Sequence, residues 1–369
     1  MNKEVHQLMN IVIYLCLIVN ITAAPCRYEV LPWAYSSKEY KKSLFCREEN
    51  YMKIRVYLKK LVSLIMLGIV LTACTTTGQA KRHSELSKPV LIEHPERFFW
   101  EIRGNNGSIY VLGTIHVADK SFYPLQKNVL RAFDKADRLV SELGGMAEME
   151  TLVEKMQTVI IENMNNDPKK NLLNVLSEEE LACLYEMIGD DTMQQFALFN
   201  PWVLNTVLAQ FLMVKAGLNP GDGIDMYLMQ RAANKKIEAL DTIEQQLAVL
   251  SYGTFDDQIA ILKDLIQALR DIDKSTKEIY RLRDLYLSNN RKGLSDFHVE
   301  LLLDVPSSFS EEKAQAYIDT LLTDRNRIWA RKFDEYLREG GNTFVFAGAA
   351  HFLGESNVFE IMRQKNMLE

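Results

Sequence analysis

Apolar positions fall into two regimes along this chain. Short β-branched and aromatic runs, Phe98 to Arg103, Ser108 to Leu112, Arg138 to Ser141 and Thr343 to Ala347, read as strands. Between about residues 147 and 335 the apolar residues recur with a period near 3.6, which predicts helices. The first two runs flank Gly104-Asn-Asn-Gly107, so a hairpin is expected there. A helix is expected over 125–136 behind Pro124, a brief strand over Lys236 to Leu240, and a last helix from about Asn357 to Gln364. Capping chemistry marks further helix starts at Ser177-Glu-Glu-Glu180 and at Asn200-Pro201, the latter helix stopping near Gly217. Strand, long helical stretch, strand is the order of an α/β (α+β) layer that carries a large helical insertion over its own strand ends. The cleft between layer and insertion is then the natural site.

Two of the strands end in the same device. Gly113-Thr-Ile-His116 and Gly348-Ala-Ala-His351 each place a histidine three residues past a glycine at the end of an apolar run. With 17 Gly and 6 His in 369 residues, composition alone accounts for about 0.3 such matches, so the pair carries more weight than either one. Glu142 closes the strand that starts at Arg138. Two imidazoles and a carboxylate suit Mn, Co, Fe or Zn, and a cation so held makes water acidic enough to ionise near neutral pH. The same residue types also permit a plainer reading, in which each histidine is satisfied by backbone hydrogen bonds at a strand end.

The N-terminal quarter of the sequence speaks to location. Met52 to Lys60 is basic, Leu61 to Leu71 is an apolar run too short to span a bilayer, and Leu71-Thr-Ala-Cys74 follows, which together read as an export signal. Leu-Thr-Ala-Cys also resembles the lipobox of bacterial lipoproteins. That resemblance implies cleavage before Cys74, lipid on its thiol, and a polar tether over 74–95 that holds a domain spanning 96–369 at the membrane of a bacterial envelope. A second, weaker apolar run over 11–21 makes little sense upstream of such a signal, so Met52 is expected to be the true start and residues 1–51 translated upstream sequence. Of the cysteines at 16, 26, 46, 74 and 183 only Cys183 then remains as a thiol, which leaves no disulfide framework. Removing 1–73 also removes ten Lys and Arg against five Asp and Glu, taking the net charge from -6 to -11. So acidic a domain is repelled by phosphate backbones and argues against nucleic-acid partners.

The motifs in order resemble the TraB/GumN family, relatives of the Tiki metalloproteases. They are Phe99-Trp-Glu-Ile, Tyr110 to His116, Tyr123-Pro-Leu, Arg138 to Glu142, Gly223-Ile-Asp225, Ile237 to Thr242 with Gln246, Arg325-Asn326, and Phe346 to Gly354. The resemblance implies an EreA/ChaN-like sheet layer and a metal-dependent, peptidase-like site in which His116, His351 and Glu142 hold the ion, or Glu142 serves as base. It implies substrate-binding or structural roles for Asp225, Arg325 and Asn326, with an Arg325–Asp225 ion pair bracing the insertion as the structural version. Asp241 stands where the family more often has glutamate. Haem or metal capture without turnover, known among relatives of the fold, is the alternative function. His94 and His298 match no motif and are expected at the surface.

Overall fold

The computed structural model describes residues 88–369 except 166, 234, 304, 305 and 307. Cys74 and the expected signal lie outside the described residues.

Six strands form one mixed sheet in the order β1-β2-β3-β6-β4-β5. They are β1 (Val90–Glu93), β2 (Phe99–Arg103), β3 (Gly107–Thr114), β4 (Arg138–Ser141), β5 (Ile237–Ala239) and β6 (Gly341–Gly348). The expected β2–β3 hairpin forms, with Phe99 opposite Leu112 and Arg103 opposite Ser108. β3, β6, β4 and β5 run parallel, so their C-terminal ends lie along one edge. The last strand in sequence slots between β3 and β4, and its residues from Thr343 to Gly348 are all buried, as a central parallel strand requires. The sheet starts earlier than the sequence suggests. Val90–Glu93, placed in the tether by its composition, is an edge strand paired antiparallel with β2. The C-terminus closes beside it, where the amide of Glu369 donates to the carbonyl of Pro89 at 2.9 Å.

Helices fill the connections. α1 (Lys127–Lys135) links β3 to β4, and the insertion between β4 and β5 holds α2 (Met146–Glu162), α3 (Leu172–Val175), α4 (Glu178–Ile188), α5 (Asp190–Phe196), α6 (Pro201–Lys215) and α7 (Ile224–Ala232). After β5 come α8 (Ile243–Leu250), α9 (Phe255–Arg270), α10 (Ile272–Leu287), α11 (Arg291–Leu303), α12 (Glu311–Ile318) and α13 (Asp324–Glu339), and α14 (Val358–Gln364) follows β6. The cap at Ser177 forms as expected, the serine oxygen accepting from Glu180 N and Glu180 from Ser177 N. Two apolar cores result. One, built on Phe98, Trp100, Phe133, Phe344 and Trp329, packs the sheet, and the other, built on Leu184, Phe196, Leu204 and Leu262, belongs to the helices alone. Among the described residues no helix is long and apolar enough to cross a membrane.

His94 and His298, expected at the surface, are both half-buried. His94 tilts against Phe99 with 5.1 Å between ring centres and lies 3.3 Å from a Glu101 oxygen. His298 is half-buried on α11, and burial holds its pKa below the usual imidazole value.

Candidate active site

The C-terminal ends of the parallel strands carry the titratable groups, which is where open α/β sheets bind ligands. β3 leads to His116, β4 to Glu142, β5 to Asp241 and β6 to His351. Each is delivered by local chemistry. Ser141 folds the chain back after β4 by bonding both the amide and the carbonyl of Gly144. Gly223 lets the start of α7 press against the His116 backbone, because a Cβ there would lie 2.3 Å from the His116 carbonyl oxygen. That docking, sealed by Ile224 N donating to Ile115 O at 3.1 Å, brings Asp225 to the imidazole.

Asp225 is buried and uses both oxygens. Oδ2 takes His116 Nδ1 at 3.0 Å and Oδ1 takes the Thr114 hydroxyl at 2.7 Å. The Asp225 charge, outweighing desolvation, pushes the His116 pKa up to about 9. Since 62% of the His116 side chain meets solvent in the cleft, water screens that pairing and its contribution to stability is small.

α13 presents Arg325, Asn326 and Trp329 on one helical face, at positions i, i+1 and i+4. Arg325 lies under Glu142 and Asp241. Its Nε donates to Asp241 Oδ2 at 2.8 Å, and one terminal nitrogen reaches both Asp241 and Glu142 Oε1. Trp329 Nε1 holds the other Asp241 oxygen at 2.6 Å. Gln246 binds the same two oxygens, its amide nitrogen donating to Glu142 Oε1 at 3.0 Å and Asp241 Oδ2 at 2.9 Å. A capping box at Thr242 starts α8 directly after Asp241 and so aims Gln246. Burial acts against ionisation of Glu142, but Arg325, with the two histidines, wins and holds its pKa well below the usual carboxylate range. Asp241 is shifted the other way, upward, because its burial outweighs the same arginine.

One expectation is corrected here. Arg325 does not pair with Asp225, which is committed to His116 and Thr114, and its partners are Glu142 and Asp241. Asp241 is a fully occupied anchor in spite of its shorter side chain. The roles of Thr114 and Trp329 escaped the sequence reading, although the helical spacing of Arg325 and Trp329 was there to be read.

With Oε1 taken, Glu142 Oε2 is buried and has no hydrogen-bond partner among the described residues. It lies 3.8 Å from His116 Nε2. Gly348 keeps the space beside them clear, since a Cβ on it would stand 3.3 Å from His116 Nε2 and 3.8 Å from Glu142 Oε2. His351, 3% exposed, tilts over Trp329 with ring centres 4.0 Å apart. Its Nδ1 meets Asn326 Oδ1 at 2.6 Å, and because the Asn326 amide nitrogen is engaged by Ser356 O, Nδ1 is the donor and Nε2 carries the lone pair. Burial pushes the His351 pKa down to about 3, Arg325 adding to the effect and Glu142 opposing it. Among the described residues no three His, Cys, Asp or Glu side chains already form a metal-holding group, so the expected trio is not assembled as a ligand cage. A nitrogen and an orphan carboxylate oxygen 3.8 Å apart, with open space beside them, are nonetheless a gap that two bonds of about 2.1 Å can span. A cavity of about 380 Å³ opens from this floor into the space between the sheet and the helices.

An α/β layer whose parallel strand ends gather two Gly-x-x-His turns and a glutamate under a helical cap defines the class. The TraB/PrgY/gumN family model matches residues 98–368, and the chain belongs to that family. It is 35% identical over 300 residues to an uncharacterized protein of Treponema pallidum, covering 81% of this chain and 88% of that one. It is 24% identical over 262 residues to the uncharacterized protein YbaP of Escherichia coli, covering 70% and 89% respectively. No solved structure matches the chain.

Proposed function

We propose that this protein is a metal-dependent hydrolase of the peptidase kind, anchored to a bacterial envelope membrane by lipid on Cys74. The observation that carries the reading is the orphan Glu142 Oε2 facing His116 Nε2 across a gap that Gly348 leaves free. His116, Glu142 and His351 would hold the ion. A divalent cation there supplies Lewis acidity toward a carbonyl and favours ionisation of water near neutral pH.

Two of the three proposed ligands, Glu142 and His351, are in the protonation states such a site asks for. Arg325 and Gln246 fix Glu142 as an oriented anion, which suits a ligand better than a proton acceptor, because a base works best with a pKa near the working pH. His351 is held neutral with its lone pair on Nε2, and Asp225 turns His116 so that its Nε2 faces Glu142. His116 must shed its proton to act as a ligand, so ion binding below about pH 9 should release one proton.

Calorimetric titration of the metal-free protein with Mn, Co or Zn, repeated in buffers of different ionisation enthalpy, tests this. Binding with release of about one proton at pH 7, weakened at least about tenfold in Glu142→Gln and in Gly348→Ala, is the expected result. Peptide cleavage should be lost with chelator and restored by the ion. Absence of ion binding, or stoichiometric haem binding without cleavage, would overturn the reading in favour of a capture protein.

A further inference from the structure

The cavity over the site is asymmetric. Its floor is charged, while its walls are largely apolar and include Met149, Leu152 and Met156 on α2, Val207 on α6, and Met226 and Met229 on α7. Four of these six are methionines, whose unbranched and polarisable side chains adapt to apolar groups of varied shape. At about 380 Å³ the space lies at the lower end of ligand-sized pockets, well beyond a slot for one small side chain. Two uncharged polar side chains, Thr206 and Gln210, share the lining one helical turn apart on α6. The Thr206 hydroxyl donates to Trp202 O at 2.9 Å, which leaves its oxygen free to accept. Apolar walls with a few amide- and hydroxyl-bearing groups are what a short apolar peptide segment needs, its side chains against the methionines and its backbone against Gln210 and Thr206. A fatty chain would have no use for the two polar groups.

We infer that this cavity is the specificity pocket of the enzyme and takes an apolar, uncharged peptide segment flanking the bond to be cut, with Met149 on the half-buried rim setting the preference. That the segment is cut rests on the hydrolase reading, but its binding does not.

The test is therefore a binding measurement on the full-length protein in chelator, where no turnover can occur. Acetyl-trileucine amide is compared with acetyl-trialanine amide, acetyl-trilysine amide and decanoate. The trileucine probe should bind at least about tenfold more tightly than the other two peptides, on the scale by which apolar pockets discriminate. Met149→Glu adds an acid in the first turns of α2, where the helix tolerates one, and should weaken trileucine binding about tenfold or more and favour trilysine. Met149→Leu should keep the parent's preference, and Gln210→Leu should weaken the peptide without weakening decanoate. Equal binding of the three peptides, no effect of Met149→Glu with circular dichroism unchanged, or decanoate binding more tightly than trileucine would each overturn the inference. If trileucine binds as expected and no ion-stimulated cleavage is found, the pocket stands and the hydrolase reading falls.

Discussion

His116 and His351 each follow a glycine by three residues, and each is anchored through Nδ1, yet a carboxylate accepts from one and a neutral amide from the other. The first ring stands largely in solvent beside Asp225 and its proton is retained up to about pH 9. The second is buried against Trp329 and stays neutral down to about pH 3. One spacing in sequence thus yields two imidazoles of opposite charge preference, decided by the distant Asp225 carboxylate for His116 and by burial for His351. Between them Arg325 keeps Glu142 anionic.

The harshest way to break this arrangement is Arg325→Leu. It leaves two buried carboxylates without their cation and should cost about 3–5 kcal/mol at pH 7 by urea unfolding. A group whose folded pKa is depressed adds stability above its unfolded value, near 4.5 for Glu142, and loses it as pH falls. The gap between parent and variant should therefore narrow below about pH 4.5, and a gap that widened there would show that Arg325 does not act through Glu142.

Asn326→Leu is the next largest change. It leaves the buried His351 Nδ1–H without an acceptor and should cost about 1–3 kcal/mol, with His116 titration unaffected in NMR spectra. The pH dependence of the two histidines should then run in opposite senses. His351, whose folded pKa is lowered, contributes stability that is full above about 6.5 and drains away as pH falls toward 3. His116, whose folded pKa is raised, contributes stability that is full below about 6.5 and is lost as pH rises through about 9. Stability profiles of His351→Ala and His116→Ala against the parent should lose the acid-side and alkaline-side slopes respectively. Asp225→Asn is the mildest. It should move the His116 pKa down toward 6.5 and cost less than about 1 kcal/mol, because the ring is exposed.

These contrasts also mark what could be read without coordinates. The hairpin, the two glycine turns and Glu142 at the end of β4 were legible because each is a local pattern, a strand followed by a break. The partners of Asp225 and Arg325 were not. An ion pair between them is the structural alternative the resemblance offers, but β4 and β5 are neighbours while α7 docks on the β3 turn, so the topology sends Arg325 to Glu142 and Asp241 and leaves Asp225 to His116. β1 was hidden because Val90-Leu-Ile, though apolar, is too short a run to show a period, and the edge strand it forms is only partly buried. His94 and His298 were misplaced because a single histidine has no periodicity by which burial can be judged.

The bond between Glu369 N and Pro89 O brings the two ends of the described chain together at the β1 edge. Topologically the domain is then nearly a ring, and the order in which its elements are translated is not dictated by where they sit. A short linker from Glu369 to Pro89, with new termini opened in the turn around Ser288 to Asn290 between α10 and α11, would keep all six strands and their order in the sheet.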